Sequence, residues 1–212
     1  MGWLIMQGAH KHWSAGWARC IVTVAALHSF MSAEAATLTL KTSESSGKTL
    51  DSVVVTLLPA SGMKLPAPRK ASIEQVNKRF IPLISVVQTG AEVNFPNNDT
   101  VRHHVYSFSA SKVFELKLYS GKPARPVVFD KPGVVVLGCN IHDRMLAYVV
   151  VADTPWFAVS AADGTAVIAD MPAGDYLLQT WHPRRLGLPE LPARPIKVGG
   201  DVTHSLTMDL KP

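Results

Sequence analysis

The chain has 212 residues, 47% of them hydrophobic and 17% charged, a balance that excludes a disordered chain and gives length enough for one large or two small domains. No run reaches the roughly 18–20 apolar residues of a membrane-spanning helix. The formal charge of +5, without any basic run interleaved with aromatics, excludes a nucleic-acid surface.

Residues 1–35 read as an export signal. Lys11 and Arg19 supply positive charge, residues 20–31 are apolar except for Thr23, His28 and Ser29, and Ala33, Glu34 and Ala35 give the small-x-small pattern of a cleavage site. Cleavage there leaves no segment for stable membrane insertion. It also removes Cys20, leaving Cys139 as the one thiol of the mature chain. A lone cysteine in an oxidising compartment has no partner for an intrachain disulfide, so a bound metal or a buried inert thiol has to account for it. Loss of Lys11, Arg19 and Glu34 leaves a net charge of +4.

The mature sequence reads as strands almost throughout. Residues 37–41 alternate, residues 43–47 form a turn-rich break, and residues 53–58 are a β-branched apolar run ending at Pro59. Residues 61–69 carry Gly62, Pro66 and Pro68 and read as a connection. Residues 72–80 are the single helical candidate, on the spacing of Ile73, Val76 and Phe80, with an irregular strand as the alternative. Strands are expected at 81–88 and 91–95, around Thr89 and Gly90, followed by the turn cluster Pro96, Asn97, Asn98 and Asp99. Further strands are expected at 101–108, 113–118, 127–129, 134–137 and 146–151. After residue 155, strand-like pieces recur between Asp163-Gly164, Ala173-Gly174 and Gly199-Gly200. Many short strands at roughly 8–12-residue spacing predict an all-β sandwich or barrel.

The chemistry concentrates in one segment between two apolar strands: Gly138, Cys139, Asn140, Ile141, His142, Asp143, Arg144, Met145. The spacing Cys139-x-x-His142-x-x-Met145 puts a thiolate, an imidazole and a thioether on one tight loop, and His103 can come from a neighbouring strand. Two imidazoles and a thiolate with a weak axial thioether are the ligand set of a blue-copper site, soft enough for Cu(I) and imidazole-rich enough for Cu(II). His182, beside Pro183, has no second metal-binding side chain at ligand spacing and reads as structural. His204 reads the same way. Met63, Met171 and Met208 are too scattered for a methionine-rich copper tract.

Phe95, Pro96, Asn97, Asn98 and Asp99 leading to His103, His104 and Val105, together with Cys139, His142 and Met145, resemble the ligand segments of cupredoxins. The ligand loop has the length of the amicyanin type, and residues 73–155 resemble the plastocyanin-like proteins called methylamine utilization proteins. The resemblance implies a Greek-key β-sandwich holding one copper and carrying electrons in the periplasm. His103, Cys139, His142 and Met145 fall on the ligand positions. His104 stands where these proteins carry an asparagine that ties the first histidine strand to the ligand loop. It either takes over that tie or competes with His103 as ligand. Asn98 is a further candidate for the supporting role. The loop also lacks the family's proline beside the histidine, having Ile141 and Asp143 instead, which makes it more polar.

Residues 163–176 and 47–57 resemble the two ends of a carboxypeptidase regulatory-like, transthyretin-like β-sandwich. The expected organisation is therefore residues 1–35 as signal, 36–70 as N-terminal strands packing with the C-terminal part, 71–154 as the copper-binding domain and 155–212 as the transthyretin-like segment. No nucleophile–histidine–acid pattern or phosphate loop is present, and a blue-copper site leaves no open position for substrate, so no enzyme activity is expected. A single-electron carrier is the leading expectation, and a periplasmic copper carrier or storage protein without redox turnover is the alternative. From Arg102 to Met145 the basic residues outnumber the acidic ones, seven to three, which is compatible with a redox partner that presents an acidic face.

Overall fold

The computed structural model describes residues 1, 2, 35–60 and 62–210. The expected export signal, residues 1–35, lies outside the described residues except for residues 1, 2 and 35. Among those described, no helix is long and apolar enough to cross a membrane.

Seventeen strands form among the described residues. The first two are β1 (Ala36–Glu44) and β2 (Val54–Pro59). A middle group follows: β3 (Ala71–Ser72), β4 (Glu74–Val76), β5 (Arg79–Ile81), β6 (Ile84–Gln88), β7 (Ala91–Asn94), β8 (His103–Ser109), β9 (Lys112–Tyr119), β10 (Val127–Phe129), β11 (Gly133–Gly138) and β12 (Leu146–Ala152). The last five are β13 (Phe157–Val159), β14 (Thr165–Met171), β15 (Gly174–Trp181), β16 (Arg194–Val198) and β17 (Val202–Met208), with one 3-10 turn at Pro183–Arg185.

The strands make four main sheets whose faces meet in series. Sheet β14-β1-β17 faces sheet β13-β2-β15-β16, and sheet β6-β12-β11-β8-β9 faces sheet β10-β7-β3. The first pair uses strands from the two ends of the chain alone. Leu38 and Leu40 of β1, Val55 and Leu57 of β2, Ile168, Tyr176, Leu206 and Met208 share its core. The second pair encloses Val93, Phe95, Val105, Phe129, Leu137, Val149 and, at one end, Cys139 and Met145. Phe95, Phe114 and Phe129 pack there with ring centroids 5.6 to 6.5 Å apart.

A third, smaller cluster joins the two sandwiches: Val54 and Trp181 on one side meet Ile84, Tyr148 and Val150 on the other. This explains why the sequence carries two unbroken apolar runs among alternating strands. Strand β12 buries Ala147, Val149 and Val151 on one face and Tyr148 and Val150 on the other. Likewise β2 turns Val55 and Leu57 into one core and Val54 into the other. Strands covered on both faces read as continuous hydrophobic runs. Strand β1, with alternating burial along Ala36–Glu44, belongs to an outer layer.

Of the two readings of residues 72–80, the structure takes the strand: β4 and β5 pair as an antiparallel hairpin, Gln75 opposite Phe80. The cause is the two-residue turn Asn77-Lys78, where both residues take positive φ, 51° and 56°. That is the backbone of a tight hairpin connection, which asparagine tolerates well. Helical spacing in the sequence was satisfied by alternation instead: Gln75 and Phe80 are buried, Glu74, Arg79 and Ile81 are exposed. At the other end of the molecule, Gly164 sits at φ +73°, and a Cβ there would come within 2.5 Å of the Thr42 carbonyl oxygen, so the β13–β14 connection depends on glycine.

Phe129 is fully buried in the aromatic cluster. Phe129→Ala is expected to cost about 3–5 kcal/mol, read as a lowered midpoint in denaturant unfolding of the metal-free chain.

Candidate metal centre

The centre lies where β8 begins, β11 ends and β12 begins. Strands β8 and β11 are neighbours, with Gly138 opposite Tyr106, and β11 pairs with β12 over the whole stretch from Gly133 opposite Val151 to Gly138 opposite Leu146. These pairings force the connection from Cys139 to Met145 to turn back over one end of the sheet, beside His103. The loop is closed by the Met145 N–H donating to the His142 carbonyl at 2.9 Å.

Among the described residues, one group of side chains could hold a metal ion through histidine, cysteine or carboxylate: His103, Cys139 and His142, with one donor atom each, all within 4.8 Å of one another. Cys139 Sγ is 3.9 Å from His103 Nδ1 and 3.8 Å from His142 Nδ1. Ordinary metal–sulfur and metal–nitrogen bonds of about 2.3 and 2.0 Å place two ligands of one ion at separations up to their sum, and both distances fall inside it. His103 and Cys139 are buried, and His142 is half-buried on the loop. The Met145 side chain is buried in the same core as Cys139. The thiolate and two imidazoles, with the Met145 thioether buried in the same core, fit copper by softness.

The two adjacent histidines separate by strand alternation. His103 lies with Val105 and Ser107 on the inward face, Val105 being part of the core beneath the centre. His104 shares the outward face with Tyr106 and Phe108, whose rings follow at centroid spacings of 5.6 and 5.2 Å. Its Nε2 pairs with Glu115 Oε1 at 2.8 Å, and its Nδ1 is buried with no hydrogen-bond partner. Asn98, the other supporting candidate, is exposed, and its amide donates to Glu74 Oε2 at 3.2 Å.

The supporting positions fall on residues the sequence had shown only as part of a turn. Asn97 is buried and donates from Nδ2 to the carbonyls of Val101 and Tyr119, both at 2.9 Å, while its Oδ1 accepts the Asp99 N–H at 3.0 Å. Asp99 Oδ2 lies 2.7 Å from His103 Nε2. Asp99 also accepts the N–H groups of Asn77 at 2.7 Å and Lys78 at 2.8 Å. Burial pushes the Asp99 carboxyl up, but the Lys78 N–H, the His103 ring and the Asn77 N–H outweigh it and hold the group below the ordinary carboxylate value. The position four residues before a candidate ligand histidine is the one sequence signal that could have drawn attention to it.

A second polar knot lies beneath. The Phe95 carbonyl accepts from Tyr119 OH at 2.6 Å and from Gln75 Nε2 at 3.1 Å, and Gln75 also donates to the Tyr119 oxygen. Strand pairing sets Tyr119 opposite His103. At Gly138, just before the thiol, an added Cβ would lie 2.8 Å from the Tyr106 ring, so a larger residue there would have to displace that ring. Away from the centre, His182 accepts the Arg184 N–H on Nδ1 at 3.1 Å and caps the 3-10 turn.

No family model matches the chain, and no curated protein matches it. Solved structures do, among them cupredoxins and a copper-containing nitrite reductase. A purple cupredoxin from Nitrosopumilus maritimus is 24% identical, covering 39% of this chain and 99% of its own, with a TM-score of 0.35. A copper-containing nitrite reductase from Thermus scotoductus is also 24% identical, over 44% of this chain and 25% of its own, with a TM-score of 0.37. A reduced Cu(I) amicyanin variant is 17% identical over 48% of this chain and 100% of its own, with a TM-score of 0.36.

Burial of the phenol pushes Tyr119 from 10.0 up to about 12, against the Gln75 hydrogen bond and with help from charge on Cys139. The folded chain therefore holds this proton more tightly than the unfolded chain, and stability falls as pH rises through that interval. Tyr119→Phe should flatten part of that fall. It should also cost about 0.5–1.5 kcal/mol at neutral pH, since the Phe95 carbonyl keeps Gln75 as a donor. Urea unfolding of both chains across the pH range measures each effect.

Proposed function

We propose that the chain is an exported, periplasmic blue-copper protein that carries single electrons, in which His103, Cys139 and His142 would hold one copper ion and the Met145 thioether would complete the set. The observation that carries this reading is the convergence of the three donor atoms within 4.8 Å of one another, with Met145 buried in the same core as Cys139. Copper bound to such a set supplies a one-electron couple whose two oxidation states accept the same ligands. The chain's own part is to hold those ligands still: His103 by its strand and Asp99, Cys139 and Met145 by the core. An electron can then enter or leave with little rearrangement. The absence of an open ligand position in this set argues for a carrier and against an enzyme.

The partner in this reading is another redox protein. Around the loop, Ile141 and Leu146 are exposed apolar side chains, and Arg102, Asp143 and Arg144 are exposed charged ones. Lys117, Lys122, Arg125 and Lys131 add exposed positive charge along the same stretch of chain. Such a surface would speed encounter with an acidic partner and do so less at high salt.

The test is the absorption spectrum of the protein with Cu(II). An intense visible thiolate-to-copper band is expected in the wild type. It should vanish in Cys139→Ser and in His103→Ala, and persist in His104→Ala. Met145→Leu should keep the colour and raise the reduction potential. A band that survives Cys139→Ser would end the copper–thiolate reading, and a colourless chain that binds only Cu(I) would identify a copper carrier without redox turnover.

A further inference from the structure

We infer that Asp99 is the positioning residue of this centre: its carboxylate holds His103 in the tautomer protonated at Nε2 and so commits Nδ1 to the metal. The inference rests on the copper reading above for its metal, and on geometry for its chemistry.

His103 is 0% exposed, so both ring nitrogens depend on protein or metal partners. Nε2 lies 2.7 Å from Asp99 Oδ2. The same carboxylate accepts the Asn77 N–H on Oδ1 and the Lys78 N–H on Oδ2. A group already taking two backbone N–H donors, one on each oxygen, is acting as an acceptor, so the proton in the Asp99–His103 bond belongs to the ring. A neutral imidazole protonated at Nε2 carries its lone pair at Nδ1, the nitrogen that faces Cys139 Sγ.

Asp99 is itself fixed. The two turn N–H groups grip the carboxylate and Asn97 Oδ1 holds its backbone N–H. Its side chain is 12% exposed, against 56% for Glu115, which pairs with His104. The two neighbouring histidines thus have carboxylate partners of different kinds. Asp99 is largely covered, gripped by two backbone N–H groups and placed on the ring nitrogen away from Cys139, whereas Glu115 is mostly exposed. Among metal-binding histidines, a carboxylate on the far nitrogen sets ring orientation and raises ligand basicity. The β4–β5 turn gains a role through this chain of bonds. Its Asn77 and Lys78 N–H groups, turned toward Asp99 by positive φ, reach His103 through one carboxylate.

The test uses the full chain, nitrogen-15 labelled, with copper as the probe. In the metal-free wild type, the His103 ring should give the spectrum of a single tautomer protonated at Nε2. In Asp99→Asn it should give a mixture, and copper affinity by chelator competition should fall about 10–100-fold. Glu115→Gln should leave both unchanged. A proton on Nδ1 in the metal-free wild type overturns the proposal. So does an Asp99→Asn chain with unchanged tautomer and affinity, or an equal loss of affinity in Glu115→Gln. If Asp99→Asn fails to fold, the wild-type ring spectrum decides the tautomer by itself. A wild type that binds no copper defeats the metal reading, and the metal-free ring spectrum still decides the Asp99–His103 assignment independently.

Discussion

The antiparallel ladder between β11 and β12 is the constraint on which the rest of the molecule depends. It aligns Gly138 with Leu146, and the loop between them, which carries Cys139, His142 and Met145, has no freedom to leave the end of the sheet. The same two strands supply Val135, Leu137, Ala147 and Val149 to the core under the centre. Their outward residues, Val134, Val136, Tyr148 and Val150, form the seam with the second sandwich. A register slip of one residue would exchange these two sets and move the ligands with them. Burial on both faces makes that slip costly, so the ladder specifies fold and centre together.

Around that ladder, the centre is made rigid by polar groups that would be liabilities if left unpaired. Buried amides, hydroxyls and carboxylates each cost several kcal/mol unless hydrogen-bonded. Asn97 and Asp99 meet that requirement through backbone partners from separate segments. Gln75 and Tyr119 meet on one carbonyl. Each residue ties His103, directly or through Tyr119 opposite it, to the β4–β5 hairpin. The Gln75 Oε1 and His104 Nδ1 atoms stand outside this satisfaction.

What was legible in the sequence follows from distance along the chain. Cys139, His142 and Met145 could be read together because one short loop carries them, and the strands could be read because alternation and turn residues are local signals. The two continuous apolar runs were legible as strands, but their reason, cover on both faces by separate sandwiches, lies in contacts between Val54 and Trp181 on one side and Tyr148 and Val150 on the other. Residues 72–80 stayed open between helix and strand because Ile73, Val76 and Phe80 match a helical spacing; the deciding feature is the backbone at Asn77 and Lys78, which is held by an aspartate over twenty residues away in sequence. For the same reason Asp99 was visible as a turn residue and invisible as a partner of His103.

The two sandwiches are physically dependent on one another in a way that bears on the centre. Without β2 and β15, the outward residues Ile84, Tyr148 and Val150 would face water, and a sheet edge-to-edge with the ligand loop would expose an apolar face. Burial of such side chains contributes about 25 cal/mol per Å², and it acts on β12, the strand that closes the loop after Met145. The parallel pairing of β1 with β17 brings the first and last described strands together in the covering sandwich. The loop that holds three of the four proposed ligands is therefore anchored from both sides: by the aromatic core beneath it, and by strands that begin and end the described chain far from it in sequence.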